Sequence, residues 1–273
     1  MRVGVFAKTF PGGDPSAVLA AARAAGFASV QWNMACAGLE PMPEAIPPGL
    51  AGAVAGAAAR AGVAIAALSG TWNMIHPDPA VREGGLARLG VLLDAAPALG
   101  VRLITLCTGT RDPRDPWRHH PDNARPEAWR DLLDMTGRAA ALAERAGVTL
   151  GIEPEPGNVV TDAAAARRLL DDMRSPCLRI VLDPANLGEG AAAGEHRRIV
   201  AEAVDRLADR LALAHAKDRD AGGRVVAAGR GVVDLSDFVA RLRGAGFQGD
   251  LIAHGFRADE APAVARHLAG LVA

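Results

Sequence analysis

Eight short apolar runs, separated by segments of helical character, constrain this chain more than any other feature. They fall at residues 2–7, 28–33, 63–69, 101–107, 148–153, 178–183, 211–215 and 250–254. Five of the turns from helix into strand share one cadence: Ala25-Gly26-Phe27, Ala61-Gly62-Val63, Leu99-Gly100-Val101, Ala146-Gly147-Val148 and Ala245-Gly246-Phe247. Glycine suits the left-handed position just past a helix, where a side chain would clash. Helix starts are marked at Asp14-Pro15, Asp78-Pro79 and Arg125-Pro126, with proline at the first helical position. Regular alternation of strand and helix predicts a parallel sheet, and eight units predict closure into an α/β (β/α)8 TIM barrel. A doubly wound open sheet is the alternative. No linker or low-complexity stretch interrupts the 273 residues, so a single domain over 1–273 is expected.

Composition narrows the function classes. Half of the residues are apolar, enough for a sizeable core, yet no run is long and apolar enough to span a bilayer. A net charge of −1 gives no reason to expect nucleic acid or a membrane surface as a partner. Cys36, Cys107 and Cys177 show no paired spacing, and the first residues read as a strand rather than a leader. A reduced, cytoplasmic protein is the reading that fits, and a homo-oligomer is compatible with it.

Four of the runs end on a metal-binding side chain. Glu153, Asp183, His215 and His254 recur at intervals of 30, 32 and 39 residues, about one strand-plus-helix unit each. In a closed barrel the carboxyl ends of the strands converge, and that face carries the chemistry. Alternation along a strand then puts Thr149 and Gly151 inward with Glu153, Val181 with Asp183, Leu211 and Leu213 with His215, and Ile252 with His254. Four inward ionisable groups would be costly to desolvate without a cation. Two carboxylates and two imidazoles suit one divalent metal ion, Mn²⁺, Zn²⁺, Fe²⁺ or Co²⁺, with Mg²⁺ less suited to nitrogen donors. Cys107 ends the fourth run and reads as a small buried hydrophobe beside this site.

Two loops that follow strands are rich in polar and unusual residues. The third spans 69–78. The fourth, 107–123, is the longest and holds Arg111, Trp117, His119 and His120. Loops of this length in compact domains usually cover or build a site, so the 110–123 segment is expected to border the pocket as a lid. Arg111, Trp117 and Arg257 are candidates for contacting hydroxyls, a carboxylate or a phosphate of a ligand. The Gly229-Arg230-Gly231 turn offers backbone N–H groups that suit a phosphate.

The chain resembles the xylose isomerase-like TIM barrel superfamily, the sugar phosphate isomerase/epimerase group. The likeness is carried by Gly151-Ile152-Glu153-Pro154-Glu155, Leu182-Asp183-Pro184-Ala185-Asn186, His215-Ala216-Lys217-Asp218 and Gly229-Arg230-Gly231-Val232-Val233-Asp234. It implies metal-ligand roles for Glu153, Asp183 and His215. The group's usual fourth ligand is a glutamate ending the eighth strand, and His254 stands there. Asn186 stands where many members place a substrate-binding histidine. The implied activity is isomerisation or epimerisation of a small keto-sugar or sugar phosphate, by removal of a proton beside a polarised carbonyl. Glu153 is the expected base, with His254 as ligand or opposite proton donor. Lys217 would stabilise the enediolate charge, and Glu155 is a second candidate base. A dehydratase of an inosose-like cyclic ketone uses the same enolate chemistry, and a metal- or sugar-binding barrel without catalysis is a further alternative. An apurinic endonuclease would need a basic surface and a histidine-rich cluster, for which only His76, His119 and His120 are spare.

Overall fold

The computed structural model describes residues 1–188 and 190–273. Its strands are β1 (Arg2–Phe6), β2 (Ser29–Trp32), β3 (Ala64–Ser69), β4 (Leu103–Cys107), β5 (Thr149–Glu153), β6 (Leu178–Leu182), β7 (Leu211–Ala216), β8 (Asp218–Arg219), β9 (Val225–Val226) and β10 (Asp250–Ala253). The helices are α1 (Pro15–Ala24), α2 (Leu50–Ala61), α3 (Pro79–Leu99), α4 (Pro126–Ala146), α5 (Ala163–Met173), α6 (Ala193–Leu207), α7 (Leu235–Gly244) and α8 (Ala261–Val272). Eight strands pair in parallel as a closed barrel in the order β1-β10-β7-β6-β5-β4-β3-β2, which is the predicted (β/α)8 architecture. One element was not anticipated. β8 and β9 form a small antiparallel ribbon outside the barrel, immediately after β7.

Local chemistry sets the helix limits. Asp14 and Asp78 accept hydrogen bonds from the N–H of Ser16 and Ala80, each at 2.9 Å, ahead of Pro15 and Pro79. At Arg125 the proline is present without a side-chain cap. Gly62 and Gly100 take left-handed φ values of 65° and 69° and turn the chain directly toward the next strand.

Two apolar shells result. Leu150, Ile152, Ile180, Leu182, Leu251 and Ala253 face outward and pack with the helices. Ala67, Leu103, Val181, Leu213 and Ile252 fill the barrel interior. Gly4 and Gly151 leave room for that inner layer: a Cβ would meet Ile252 at 2.5 Å from Gly4 and Val181 at 2.8 Å from Gly151. Leu211 departs from the expected alternation and packs with the outer shell. The register of β6 against β7 shifts between Ile180 and Val181, so Ala212 is an extra residue that inverts the phase below it. Among the described residues, no helix is long and apolar enough to cross a membrane.

Candidate metal centre and substrate cavity

The inner apolar layer ends at Gln31, Ser69 and Thr105, three buried polar side chains from β2, β3 and β4. The Gln31 amide donates to Ser69 Oγ at 3.1 Å and Thr105 Oγ1 at 3.0 Å, so its oxygen is turned to His215 Nε2, 2.8 Å away. This arrangement places a proton on Nε2 and leaves Nδ1 facing Glu153 Oε1 at 3.0 Å and Asp183 Oδ2 at 4.0 Å. His254 Nε2 approaches Asp183 Oδ2 at 3.2 Å, and its ring meets His215 edge-on with centroids 4.7 Å apart.

Glu153, Asp183, His215 and His254 therefore converge, with one donor atom from each and all of those atoms within 4.8 Å of one another. Ligands about 2 Å from an ion stand roughly 3–4 Å apart, so modest inward movement closes this set around a divalent cation. The donor chemistry fits as well: two carboxylates, two imidazoles, and a glutamine that orients one imidazole from behind. The site could hold a metal ion.

Charge in the cluster is balanced internally. Burial opposes ionisation of Asp183, but Lys217, His254 and His215 outweigh it and hold the carboxyl well below its ordinary range. Lys217 Nζ lies 3.1 Å from Asp183 Oδ2 and also donates to Asn186 Oδ1. The Asn186 amide in turn donates to Glu153 Oε1 at 3.1 Å. Burial likewise opposes the charged forms of Glu153 and His215, yet their mutual attraction prevails: the acid's pKa is lowered and the imidazole's raised. His254 goes the other way, since burial favours the neutral ring, the form a metal ligand needs. Glu155 is pushed up to about 8, by burial and then by the charge of Glu153.

Above the cluster opens a cavity of about 530 Å³, with Phe6, Trp72 and Trp117 among its walls and Glu153, Glu155, His215 and His254 at its floor. The fourth loop borders it through Pro116 and Trp117. That loop is tied down from below. Asn158 Nδ2 donates to the Pro116 carbonyl at 3.0 Å, and Thr110 Oγ1 donates to the Arg118 carbonyl at 2.8 Å. Cys107 also lines the cavity, and burial followed by the Glu153 charge keeps its thiol protonated.

Three expectations are corrected. Arg111 does not reach the cavity: its guanidinium donates to the Ile75 carbonyl at 2.9 Å and pairs with Asp131 at 2.5 Å, anchoring the loop. Arg257 sits outside the cavity beside a separate surface depression and pairs with Asp259. The Gly229-Arg230-Gly231 turn holds no spare phosphate cradle, because Asp218 already occupies it. Asp218 Oδ2 accepts from Gly229 and Gly231, and Oδ1 accepts from Val233. His76 and His120 cap local turns at Asp78 and Asp122, and neither they nor His119 join the donor cluster. Sequence reasoning passed over Lys8, Gln31, Asn33 and Trp72, all of which line the cavity.

Fold and site together define a β/α barrel with a buried donor cluster at the carboxyl ends of its strands. The family model described as xylose isomerase-like TIM barrel matches residues 19–271, and the chain belongs to that family. Among curated proteins, none matches the chain. Solved structures of the same fold include 3-keto-D-glucoside 4-epimerase from E. coli, with 18% identity, TM-score 0.76, and 99% of this chain and 98% of that one covered. D-psicose 3-epimerase from Clostridium cellulolyticum H10, solved with D-tagatose, superposes with TM-score 0.77 at 16% identity, covering 100% and 99%. The IOLI protein with a bound zinc atom gives TM-score 0.74 at 16% identity, covering 100% and 98%.

Proposed function

We propose that this protein is a divalent-metal-dependent isomerase or epimerase of a small keto-sugar or sugar phosphate. The observation that carries the reading is the convergence of Glu153, Asp183, His215 and His254, three of which line the floor of a cavity large enough for a monosaccharide. Epimerases among the solved structures of this fold, and one with bound zinc, support it. An ion held by these four residues would polarise a substrate carbonyl and acidify the neighbouring C–H.

The remaining work falls to the chain's own groups. Glu153 removes the proton: its Oε1 is held by His215 and Asn186, while Oε2 has no protein partner among the described residues. Asp183 is unsuited to that role, because Ala185 N–H, His254 and Lys217 engage both of its oxygens. Lys217 offsets charge that develops on the substrate oxygens, and Asn186 fixes the positions of Lys217 and Glu153 relative to one another. Phe6, Trp72 and Trp117 present apolar surface to the carbon face of a sugar and exclude water.

Metal analysis after equilibration with Mn²⁺, Zn²⁺ or Co²⁺, followed by a screen of ketoses, sugar phosphates and inososes, tests the proposal. One tightly held ion per chain and conversion of a ketose are expected. A protein that retains no divalent ion would overturn it, and water loss from an inosose would replace isomerase with dehydratase.

A further inference from the structure

Of the 30 lysine and arginine side chains in this protein, only Lys8 and Lys217 are lysine. Arginine fills every other such position; Lys8 lines the cavity, and Lys217 lies against the donor cluster. Lys217 is buried and committed to Asp183 and Asn186. Lys8 is different. It follows β1, is exposed, and lines the cavity, yet among the described residues it has no ion pair and no hydrogen-bond acceptor. Asn33, which follows β2, lines the same cavity. Its amide oxygen accepts from Ala35 N–H at 3.0 Å, and its amide NH₂ has no protein acceptor among the described residues.

Barrel order sets these donors against the acids. Counting round the closed sheet, β1 stands four strands from β5, on the opposite wall from Glu153 and Glu155. A negatively charged group on a ligand is repelled from the β5 side and drawn to the β1 side. An ammonium on a flexible stem is a compact point charge suited to meeting one such group.

We infer that the substrate of this cavity is an acidic sugar, and that Lys8, with Asn33, binds its carboxylate or phosphate on the wall opposite Glu153 and Glu155. The inference rests on the proposed carbohydrate site and names its substrate class. It also explains orientation: with the acidic group held at β1, the carbonyl end of the molecule is directed toward Glu153.

The scarcity of lysine makes the test direct. Reductive methylation with isotope-labelled formaldehyde keeps the positive charge and gives the exposed Lys8, like the terminal amine, a methyl resonance, with Lys8→Gln assigning that of Lys8. Zinc-loaded protein is titrated with D-fructose, D-fructose 6-phosphate and 2-keto-D-gluconate. At least one acidic probe is expected to move the Lys8 resonance saturably, and fructose to leave it in place. Lys8→Gln should weaken that probe about fivefold more than fructose, the weight of one exposed charge contact, and Lys8→Arg should restore most of the loss. A response to the phosphate alone, or to the keto-acid alone, identifies which acid is bound. A Lys8 resonance indifferent to both acidic probes, or equal affinities in wild type and Lys8→Gln, overturns the inference. The readout needs no turnover, so the two readings fail separately. A Lys8 response in protein that exchanges no deuterium at carbon leaves acid recognition standing and removes the enolisation chemistry. Silence at Lys8 in protein that does exchange removes acid recognition alone.

Discussion

Gln31 and His215 meet across the barrel, with His215 Nε2 2.8 Å from Gln31 Oε1, and this contact fixes which imidazole nitrogen faces the donor cluster. Gln31 is itself held by Ser69 and Thr105. Removing the amide frees the ring to turn and to change tautomer. Gln31→Leu is expected to retain the fold and to weaken Zn²⁺ binding about 10- to 100-fold, the usual cost of losing such an orienting group. Calorimetric titration of wild type and variant checks this, and unchanged affinity would show that His215 is positioned by other means.

Metal affinity should fall in acid. Burial disfavours charging His215, but Glu153 and Asp183 outweigh it and hold the ring's pKa above its ordinary value. An ion can bind only the deprotonated nitrogen. Below the raised pKa the ion therefore competes with a proton, and above it there is no competition. Apparent affinity is expected to rise by about tenfold per pH unit on the acid side and to level off beyond the pKa. Affinity independent of pH from mildly acid to neutral solution would exclude His215 as a ligand.

The wall formed by the fourth loop depends on Gly157. A Cβ there would stand 1.9 Å from the Trp117 carbonyl oxygen and 2.8 Å from its carbonyl carbon, so the backbone must move. Gly157→Ala is expected to cost roughly 1–3 kcal/mol of stability, the range for forced overpacking, and to displace Trp117 from the cavity. Direct truncation, Trp117→Ala, should raise KM by about tenfold through lost apolar contact while changing kcat less. Substrate affinity unaffected by both changes would mean that the loop does not contact the ligand.

Asp218 was legible only as part of a motif, and its work is structural. Its carboxylate accepts from the N–H groups of Arg219, Gly229, Gly231 and Val233 at 2.8–3.0 Å and is fully buried. Asp218→Ala leaves these donors unsatisfied and is expected to cost about 3 kcal/mol or more. Denaturant unfolding measures it, and a loss below about 1 kcal/mol would show that water replaces the carboxylate.

The contrast between Asp218 and Glu153 shows what the sequence reveals. Glu153, Asp183, His215 and His254 each close an apolar run, so a period-two pattern and strand spacing place them together. Strand limits were legible to within about two residues for the same reason, since glycine and proline punctuate both ends. The inner polar layer was not legible. Gln31 lies within a run whose other members are Ser29, Val30 and Trp32, and nothing local shows that it meets His215, 184 residues away. Arg111 pairs with Asp131 through packing of the fourth loop on α4, and Gly229–Gly231 is filled by a carboxylate eleven and thirteen residues upstream. The inversion at Leu211 follows from a bulge that no residue type announces. Lys8 did carry a signal, its rarity as a lysine, which composition summed over both cations conceals.

Glu153 is the group proposed to remove a proton beside the substrate carbonyl. The measurement that bears on it most directly is solvent-deuterium incorporation into a ketose turned over by metal-loaded wild type and Glu153→Gln, with metal content determined on both samples. His254→Glu serves as the companion variant, expected to keep the ion because a carboxylate replaces a neutral imidazole donor. Wild type should incorporate deuterium at the carbon next to the carbonyl, and Glu153→Gln, still holding its ion, should incorporate none. Exchange at the wild-type rate by metal-loaded Glu153→Gln would contradict the assignment of Glu153 as the base.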